Sequence, residues 1–322
     1  MFRGKNVLVT GGTGMIGRYV VERLIGHGAN VRIASLDSPC RAHPEADFRR
    51  GDLTNPEQCL GVCEGIDFVF HLAGIKGSPL MAAQKPASFF VPTIQFNTNM
   101  MEAARQSGVR RYLYTSSVGV YAQAEMLRED DVWRTFPSEN DRFAGWAKRM
   151  GELQAEAYRV EYGWDGVSIV RPANVYGRYD NFDPANAMVV PSLIRRAVEG
   201  EDPLVVWGDG SPVRDFIHAD DVARGMLLVM EKGFAQPVNI GSGVGVSVRR
   251  VVEIIVSNLK RKPRIVWDSS MPAGDRIRLM DISRARSLGF EPQIPIEAGI
   301  CDTIDWYQRN LPETGGRYSG FT

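Results

Sequence analysis

The amino-acid sequence predicts an α/β protein with a doubly wound parallel sheet and a smaller C-terminal α/β domain. Three observations support this fold class. Short β-rich segments alternate with longer helical segments in the first half of the chain, and this alternation loosens after about Arg171. The length of 322 residues corresponds to about two domains. We therefore predict one domain at residues 1–171 and a second at 172–322, with some segments of the second returning to the first domain's sheet.

The elements of the first domain are predicted as successive βαβ units. The strands are predicted at Asn6–Thr10, Val31–Ser35, Phe48–Arg50, Phe68–Leu72, Tyr112–Ser116 and Val167–Arg171. The helices are predicted at Met15–Gly26, Pro56–Cys63, Phe89–Ser107 and Ala147–Tyr162. Gly28, Gly108 and Gly163 lie where helix C-caps belong, because glycine readily adopts the left-handed conformation that ends many helices.

The second domain has more widely spaced elements and is predicted to form a lid or to bind the substrate. Its helices are predicted at Pro191–Glu199, Asp220–Glu231, Val248–Leu259 and Ile296–Gln308. Its short strands are predicted at Leu204–Trp207 and Arg264–Trp267.

Composition and charge argue against several classes of protein. The chain has 38 basic and 38 acidic side chains, so its formal net charge is zero. It therefore lacks the overall positive electrostatic field that would attract a nucleic acid or an anionic membrane surface. No apolar segment approaches the roughly 18 residues that a bilayer span needs, and no signal peptide precedes the first strand. The four cysteines lack the spacing of a zinc site. We expect a cytoplasmic protein without a metal site.

Glycine is the residue type in excess, at 33 residues or about 10% against a usual ~7%. A glycine-rich segment follows the first strand and opens the first helix, the order that a dinucleotide-binding domain of the Rossmann type requires. There Gly11 allows the tight turn, Gly14 lets backbone N–H groups approach a pyrophosphate, and Gly17 allows close helix packing. The predicted cofactor-binding residues of this loop are Gly11, Thr13, Gly14, Met15, Ile16 and Gly17.

Four further segments resemble successive motifs of the extended short-chain dehydrogenase/reductase family, whose members include nucleotide-sugar epimerases, dehydratases and reductases. They are Gly51–Thr54, Asp67–Ala73, Arg171–Gly177 and Arg214–Asp221. The resemblance extends from about Lys5 to Arg309. It implies an NAD(P)-dependent enzyme that modifies a nucleoside-diphosphate sugar. It also implies a homodimer, in which the helices at 89–107 and 147–162 form a four-helix bundle. Met100, Met101 and Leu153 are candidates for an exposed apolar seam of this bundle, and packing in the protein core is the alternative for them.

The resemblance places further cofactor contacts at the ends of the second, third and fourth strands. They are Ser35, Asp37, Asp52, Leu53, Leu72, Ala73 and Gly74. A carboxylate at the end of the second strand accepts hydrogen bonds from ribose hydroxyls and repels a 2′-phosphate. By spacing, the position that distinguishes NAD from NADP is Ser35, and Asp37 follows it by two residues. NAD is therefore the predicted cofactor, and NADP remains open.

The catalytic set of this family is a serine or threonine together with Tyr-x-x-x-Lys. Ser117 lies in a segment that resembles the serine motif, and Lys148 lies in one that resembles the tyrosine–lysine helix. Ala144 stands where the tyrosine is expected, and the adjacent Phe143 carries no hydroxyl. In this family the lysine also binds the nicotinamide ribose, which adds Lys148 to the implied cofactor contacts.

The absent tyrosine leaves the proton acceptor for a substrate hydroxyl undetermined. The candidates are Tyr121, Lys148, Asp141 and Glu139. We predict Ser117, Lys148 and Tyr121 as the catalytic residues, because the resemblance places Tyr121 at the active-site edge of its strand.

The net reaction also remains open among epimerisation, reduction and oxidation, with hydride exchange expected at C4. The 4,6-dehydratases carry an acidic residue just after the serine or threonine, where this chain has Val118 and Gly119. The substrate half is similar to the GDP-fucose synthases, which favours a guanine-linked sugar, but Val118 and Asp183 replace their cysteine and histidine. The alternatives are a catalytically silent binding protein and a dehydratase with a non-tyrosine base.

Six residues of the second half match substrate-binding positions of the family. Asn174, Arg214 and Arg276 are expected to hold the diphosphate and ribose, since a guanidinium binds phosphate oxygens in a bidentate manner. Val190, Leu193 and Trp207 are expected to line the base pocket.

Overall fold

The computed structural model describes residues 1–75, 77, 79–271, 274–310 and 317–318. Its strands are β1 Asn6–Thr10, β2 Asn30–Ser35, β3 Asp47–Arg50, β4 Phe68–His71, β5 Arg111–Thr115, β6 Met126–Leu127, β7 Val167–Pro172, β8 Asn174–Tyr176, β9 Leu204–Trp207, β10 Val213–His218, β11 Val238–Ile240, β12 Gly245–Ser247, β13 Ile265–Asp268 and β14 Ile277–Met280. Its α-helices are α1 Met15–Gly26, α2 Pro56–Cys63, α3 Pro79–Gln84, α4 Pro86–Gln106, α5 Arg142–Tyr162, α6 Val189–Val198, α7 Ala219–Lys232, α8 Val248–Ser257, α9 Ser283–Ser287 and α10 Ile296–Arg309.

The larger sheet has seven strands in the order β11-β7-β5-β4-β1-β2-β3, and every neighbouring pair is parallel. The chain moves outward from β1 through β2 to β3, then returns to β4 on the other side of β1. The order of strands therefore reverses between β1 and β4, and ligands of such sheets bind at the carboxyl ends of the strands at this point. The doubly wound fold class is confirmed.

Alternating side chains of the central strands enter two different hydrophobic clusters. Val7 and Val9 of β1 pack with residues of α1 and α7, whereas Leu8 packs with residues of α2 and α4. This is the period of two expected for a strand that is buried on both faces. A third cluster joins α6, α8 and α10 in the second half of the chain.

The second half contributes to the large sheet and also forms smaller ones. β11 lies at the edge of the large sheet beside β7, and α7 packs against α1. A five-stranded sheet has the order β12-β10-β14-β6 with β8 also paired to β10, and β9 pairs with β13. The predicted boundary at residue 171 stays a prediction.

The six strands and four helices predicted for the first domain are present, but two helices begin earlier than predicted. α4 begins at Pro86 instead of Phe89, and α5 begins at Arg142 instead of Ala147. The first turn of α5 contains Gly145, which has low helix propensity. Tertiary packing decides its conformation, because a Cβ at Gly145 would lie 2.3 Å from the carbonyl oxygen of Gly119.

The predicted apolar seam of a dimer is only partly exposed. Met100 and Met101 are fully buried in the cluster between the sheet, α2 and α4, so the core alternative is correct for them and the exposed seam is wrong. Leu153 on α5 is exposed. Helical periodicity alone does not show which of two apolar faces meets the sheet.

Candidate active site

The glycine-rich loop after β1 lies against the chain that follows β4. Gly11 has a φ of 67°, and a Cβ there would lie 3.0 Å from the Cα and N atoms of Ala73. A Cβ at Gly17 would lie 2.2 Å from the carbonyl oxygen of Gly11, so α1 begins in direct contact with the loop. No side chain caps α1 at Gly14, so the first N–H groups of the helix can bind an anion. This cradle fits the pyrophosphate of a dinucleotide.

Ser35 and Asp37, which follow β2, are tied to this loop by hydrogen bonds. The Thr13 hydroxyl donates to Oδ2 of Asp37 at 2.7 Å and lies 2.8 Å from Oγ of Ser35. The backbone N–H of Tyr318 donates to Oδ1 of Asp37 at 2.6 Å. Asp37 is buried, and the structure places its carboxylate beside the cradle, where a ribose hydroxyl is expected.

The residues after β3 and β4 complete the same sheet edge. Oδ1 of Asp52 accepts hydrogen bonds from the N–H and hydroxyl of Thr54 at 2.9 and 2.8 Å, and Leu53 is buried. The N–H groups of Leu72 and Ala73 donate to the Thr10 hydroxyl at 3.2 and 3.1 Å. Gly74 is exposed. The structure thus brings the predicted cofactor residues of four strand ends together.

His71 has a structural role at this edge. Its Nδ1 lies 2.8 Å from the Thr10 hydroxyl, and its Nε2 lies 2.9 Å from Oδ1 of Asn97. Burial lowers the pKa of His71 to about 3, so the ring is neutral at physiological pH. It orients Thr10, which in turn holds the chain after β4.

Ser117 and Lys148 are both located at the carboxyl end of β5. Ser117 follows this strand, and its Oγ accepts the N–H of Gly119 at 3.1 Å, which caps a short 3₁₀ turn at Val118–Val120. Lys148 on α5 donates from Nζ to the carbonyl oxygen of Thr115 at 2.9 Å, two residues before Ser117. Burial lowers the pKa of Lys148 to about 8, although Glu152 acts in the opposite direction.

The first turn of α5 lacks the hydroxyl that the family resemblance implies. Ala144 lies one helical turn before Lys148. The neighbouring Phe143 is exposed and contacts Phe90 edge-on, with ring centroids 6.1 Å apart. Neither side chain can transfer a proton.

Tyr121 lies in the protein core, which does not support its predicted catalytic role. Its hydroxyl donates to Oδ1 of Asn239 at 2.5 Å and accepts from Nη1 of Arg171 at 3.0 Å. Burial raises its pKa above the usual range. The hydroxyl is thus committed to a buried network, a placement that the motif spacing did not indicate.

The substrate residues predicted from the second half have different environments. Asn174 donates from Nδ2 to the carbonyl oxygen of Asp215 at 3.1 Å, and Arg214 donates from Nη1 to that of Val213 at 2.9 Å. Both residues lie on neighbouring strands of the five-stranded sheet, and both side chains are half-buried. Arg276 is exposed.

The predicted base-pocket residues do not share one surface. Val190 and Leu193 on α6 are each 3% exposed and pack in the cluster with α8 and α10. Trp207 at the end of β9 is 53% exposed. The two α6 side chains therefore form part of the hydrophobic core, because they lie on the apolar face of an amphipathic helix.

The sequence did not predict that Arg278, which is half-buried, lies between two carboxylates. Nη2 of Arg278 lies 2.6 Å from Oδ2 of Asp141, and its Nε lies 2.5 Å from Oδ2 of Asp275. Burial lowers the pKa of Arg278, but the two carboxylates outweigh this effect and raise it. The only sequence signal is the spacing of three between Asp275 and Arg278, which also fits a solvated surface pair.

Neither a metal site nor a membrane span is evident in the part of the chain that the structure describes. It contains no cluster of three histidine, cysteine or acidic residues suited to a metal ion. None of its helices is both long enough and apolar enough to cross a bilayer.

The comparisons with known proteins agree with this geometry. A model of the NAD dependent epimerase/dehydratase family matches residues 7–241. The chain belongs to this family. It is 33% identical over 264 residues to the GDP-L-fucose synthase of Escherichia coli (strain K12), covering 77% of this chain and 82% of that protein. It is 31% identical over 318 residues to a dTDP-4-dehydro-6-deoxy-D-allose reductase of a Streptomyces species, covering 95% of this chain and 97% of that protein.

A solved structure supports the same relationship over nearly the whole chain. MoeE5 in complex with UDP-glucuronic acid and NAD has a TM-score of 0.82 and 30% identity, covering 95% of this chain and 100% of that chain. The predicted family and the NAD cofactor are thereby confirmed. The predicted enzyme class, the extended short-chain dehydrogenase/reductases that modify nucleotide sugars, is confirmed as well.

Proposed function

We propose that this member of the family exchanges hydride between NAD and C4 of a nucleoside-diphosphate sugar, with a guanine-linked sugar as the favoured substrate. One observation carries the proposal. Lys148 binds the last residue of β5 and Ser117 follows that strand by two residues, on the sheet edge where the cradle after β1 fits a dinucleotide. The named relatives act on GDP- and dTDP-linked sugars, which supports a nucleotide-sugar substrate.

The chain's own residues have distinct roles in this proposal. The loop from Gly11 to Gly17 binds the pyrophosphate, and Asp37 binds the adenosine ribose. Lys148 binds the nicotinamide ribose, and its ammonium favours negative charge on a nearby oxygen. Ser117 donates a hydrogen bond to the reacting oxygen of the sugar. When bound, NAD supplies the hydride acceptor at the substrate carbon.

The second half supplies the contacts to the diphosphate. Arg214 on β10 stands directly beside Arg278 on β14 in the parallel register of these strands. Burial and the adjacent Arg278 both lower the pKa of Arg214. We assign phosphate binding to Arg214, because a bound anion relieves the electrostatic repulsion between two neighbouring guanidinium groups.

A labelled substrate tests the proposed reaction. The purified protein is incubated with NAD and with GDP-, dTDP- and UDP-sugars that carry deuterium at C4. We expect the label to appear on the nicotinamide, or to return to C4 of a product with altered configuration, followed by NMR. An absence of turnover with every sugar, in both cofactor oxidation states, would contradict the proposal.

We further propose a cytoplasmic homodimer assembled through α4 and α5. These helices pack side by side, and together they expose the large apolar side chains of Val91, Leu153, Val160 and Tyr162. An exposed apolar surface of this kind is typical of a protein interface. A location in the cytoplasm fits the proposed use of NAD and a nucleotide sugar.

A charge on this surface is expected to separate the dimer. Leu153→Glu should convert the protein to a monomer in sedimentation at micromolar concentration, because a buried, unpaired carboxylate is strongly unfavourable at an interface. Leu60→Glu, at an exposed leucine of α2, is the matched control and should leave the dimer intact. A wild-type protein that sediments as a monomer would refute this assembly.

A further inference from the structure

Asp141 stands directly before α5, on the helical face where the implied tyrosine is missing. It precedes Ala144 by three residues and Lys148 by seven, a spacing that places the three residues along one side of a helix. Side chains of a helix lean towards its N-terminus and cover the preceding turn. A tyrosine at position 144 would therefore extend over Asp141. We propose that the Asp141 carboxylate is the proton acceptor and donor of this active site.

Two glycines bring the Asp141 carboxylate to the serine turn. A Cβ at Gly119 would lie 3.3 Å from Cβ and 3.4 Å from Cγ of Asp141. A Cβ at Gly145 would lie 2.3 Å from the carbonyl oxygen of Gly119 and 2.7 Å from Cβ of Pro137. Without side chains at these positions, the first turn of α5 contacts the turn that Ser117 caps. The carboxylate thus lies against a residue only two positions from Ser117.

Asp141 does not perform the structural role that its position suggests. An aspartate that precedes a helix normally accepts a hydrogen bond from one of the first N–H groups. The side chain of Asp141 makes no such bond to α5. Its carboxylate is instead 30% exposed and directed towards Arg278, across the site from its own helix. Oδ2, the oxygen that faces Arg278, is buried, so a substrate would reach the exposed remainder of this side chain.

Charged groups from two strands act on this carboxylate. Arg278 on β14 contacts it at 2.6 Å, but Arg278 also binds Asp275 at 2.5 Å, so two carboxylates share one guanidinium. Arg214 on β10 interacts electrostatically with both carboxylates. On α5 itself, Lys148 lies two turns further along the same face.

On its own 3₁₀ turn, Asp141 has one charged neighbour. Glu139 is 86% exposed and pairs with Arg142 at 3.7 Å. Asp141 therefore contacts the turn that follows Ser117 on one side and Arg278 on the other, and it interacts electrostatically with Arg214, the arginine that we assign to the diphosphate. Glu139 and Tyr121 are two other candidates for the proton acceptor that replaces the absent tyrosine. Glu139 is directed into solvent and Tyr121 into the core, so the geometry favours Asp141 over both.

The proton step balances with the hydride exchange, so this inference rests on the proposed function. As the C4–H bond breaks, the hydroxyl on the same carbon loses its proton to the Asp141 carboxylate. The substrate becomes a ketone, and Asp141 becomes a carboxylic acid. Return of the hydride and the proton to the substrate restores the alcohol and the carboxylate. Ser117 holds the oxygen throughout, and Lys148 stabilises its negative charge.

An Asp141→Asn variant tests the assignment, because asparagine keeps the size of the side chain but cannot accept a proton. We expect hydride transfer in a single turnover to fall about 100-fold, as for the loss of a general base. The dissociation constant for the nucleotide sugar should stay unchanged. The limb of the pH–rate profile that reports protonation of the base should disappear.

A rescue variant and a matched control separate this role from a structural one. In Asp141→Asn/Ala144→Tyr, a phenol beside Lys148 supplies the missing acceptor, and we expect recovery of at least about tenfold. Glu139→Gln removes the same charge from the same turn and should retain wild-type kinetics.

The outcomes also separate this inference from the proposed function. If Asp141→Asn keeps the wild-type rate and pH profile, or if the double variant recovers nothing, the assignment of Asp141 is wrong while the proposed function stands. A wild-type protein that turns over no nucleotide sugar overturns both.

Discussion

Replacement of Lys148 by methionine is expected to lower hydride transfer about 1,000-fold, within the range known for loss of an acid–base group. Both the sequence motif and the structure place Lys148 at the end of β5, where its Nζ donates a hydrogen bond to the carbonyl oxygen of Thr115. Methionine fills a similar volume but cannot stabilise a negative oxygen or bind ribose. We also expect the dissociation constant for NAD to rise about tenfold, the effect of one lost charged hydrogen bond.

Rapid-mixing kinetics and calorimetric titration with NAD measure the two effects separately. Lys260→Met is the matched control, because Lys260 is exposed on the surface and its loss should change neither quantity. A Lys148→Met variant with wild-type turnover would contradict the enzyme mechanism. A catalytically silent binding protein would instead show no turnover in the wild type and would lose little of its binding function in Lys148→Met.

Replacement of Glu152 by glutamine is expected to reduce the free energy of unfolding by about 3–5 kcal/mol, since it leaves a buried guanidinium without a counter-charge. Glu152 and Arg171 form a bidentate ion pair at 2.6 and 2.9 Å, and their side chains are 1% and 0% exposed. Glu152 also accepts a hydrogen bond from the Ser116 hydroxyl at 2.5 Å. The pair joins α5 to β7 and holds the end of β5.

The midpoint of urea unfolding at an unchanged m-value measures this loss. Glu253→Gln removes an exposed partner of Arg250 and should leave the midpoint unchanged, because surface ion pairs contribute little. A double variant, Glu152→Leu/Arg171→Met, should recover part of the lost stability, since it leaves no buried charge. If Glu152→Gln unfolds at the wild-type midpoint, the buried pair does not have the role assigned here.

Much of the cofactor side was predictable because its determinants are local. The glycine spacing from Gly11 to Gly17 specifies a turn and a helix start within a few residues of chain. Parallel strands end at one sheet edge, so residues that follow β1 to β4 must lie near one another. Motif spacing predicts Ser117 and Lys148, and the structure places both at the end of β5.

For three residues the structure does not support the predicted role, because that role depends on which face of an element is covered by the rest of the protein. Tyr121 follows an active-site strand, yet its hydroxyl is directed to Arg171 and Asn239 in the core. Val190 and Leu193 belong to a motif of the substrate half, yet they pack against α8 and α10. Their spacing along the chain is compatible with either environment, because an amphipathic helix or a chain turn can present the same residues to the core or to a ligand.

The sequence by itself determined the doubly wound fold, the dinucleotide cradle, the family and the absence of the tyrosine at Ala144. Each of these follows from residue type and short-range spacing. The tertiary structure alone decided that Asp141 contacts Gly119 and Arg278, and that Glu152 pairs with Arg171. Asp141 and Arg278 lie far apart in the chain, and they meet only because α5, β10 and β14 pack around one site. Local chemistry therefore specifies the cofactor half, whereas long-range packing selects the groups that can move a proton.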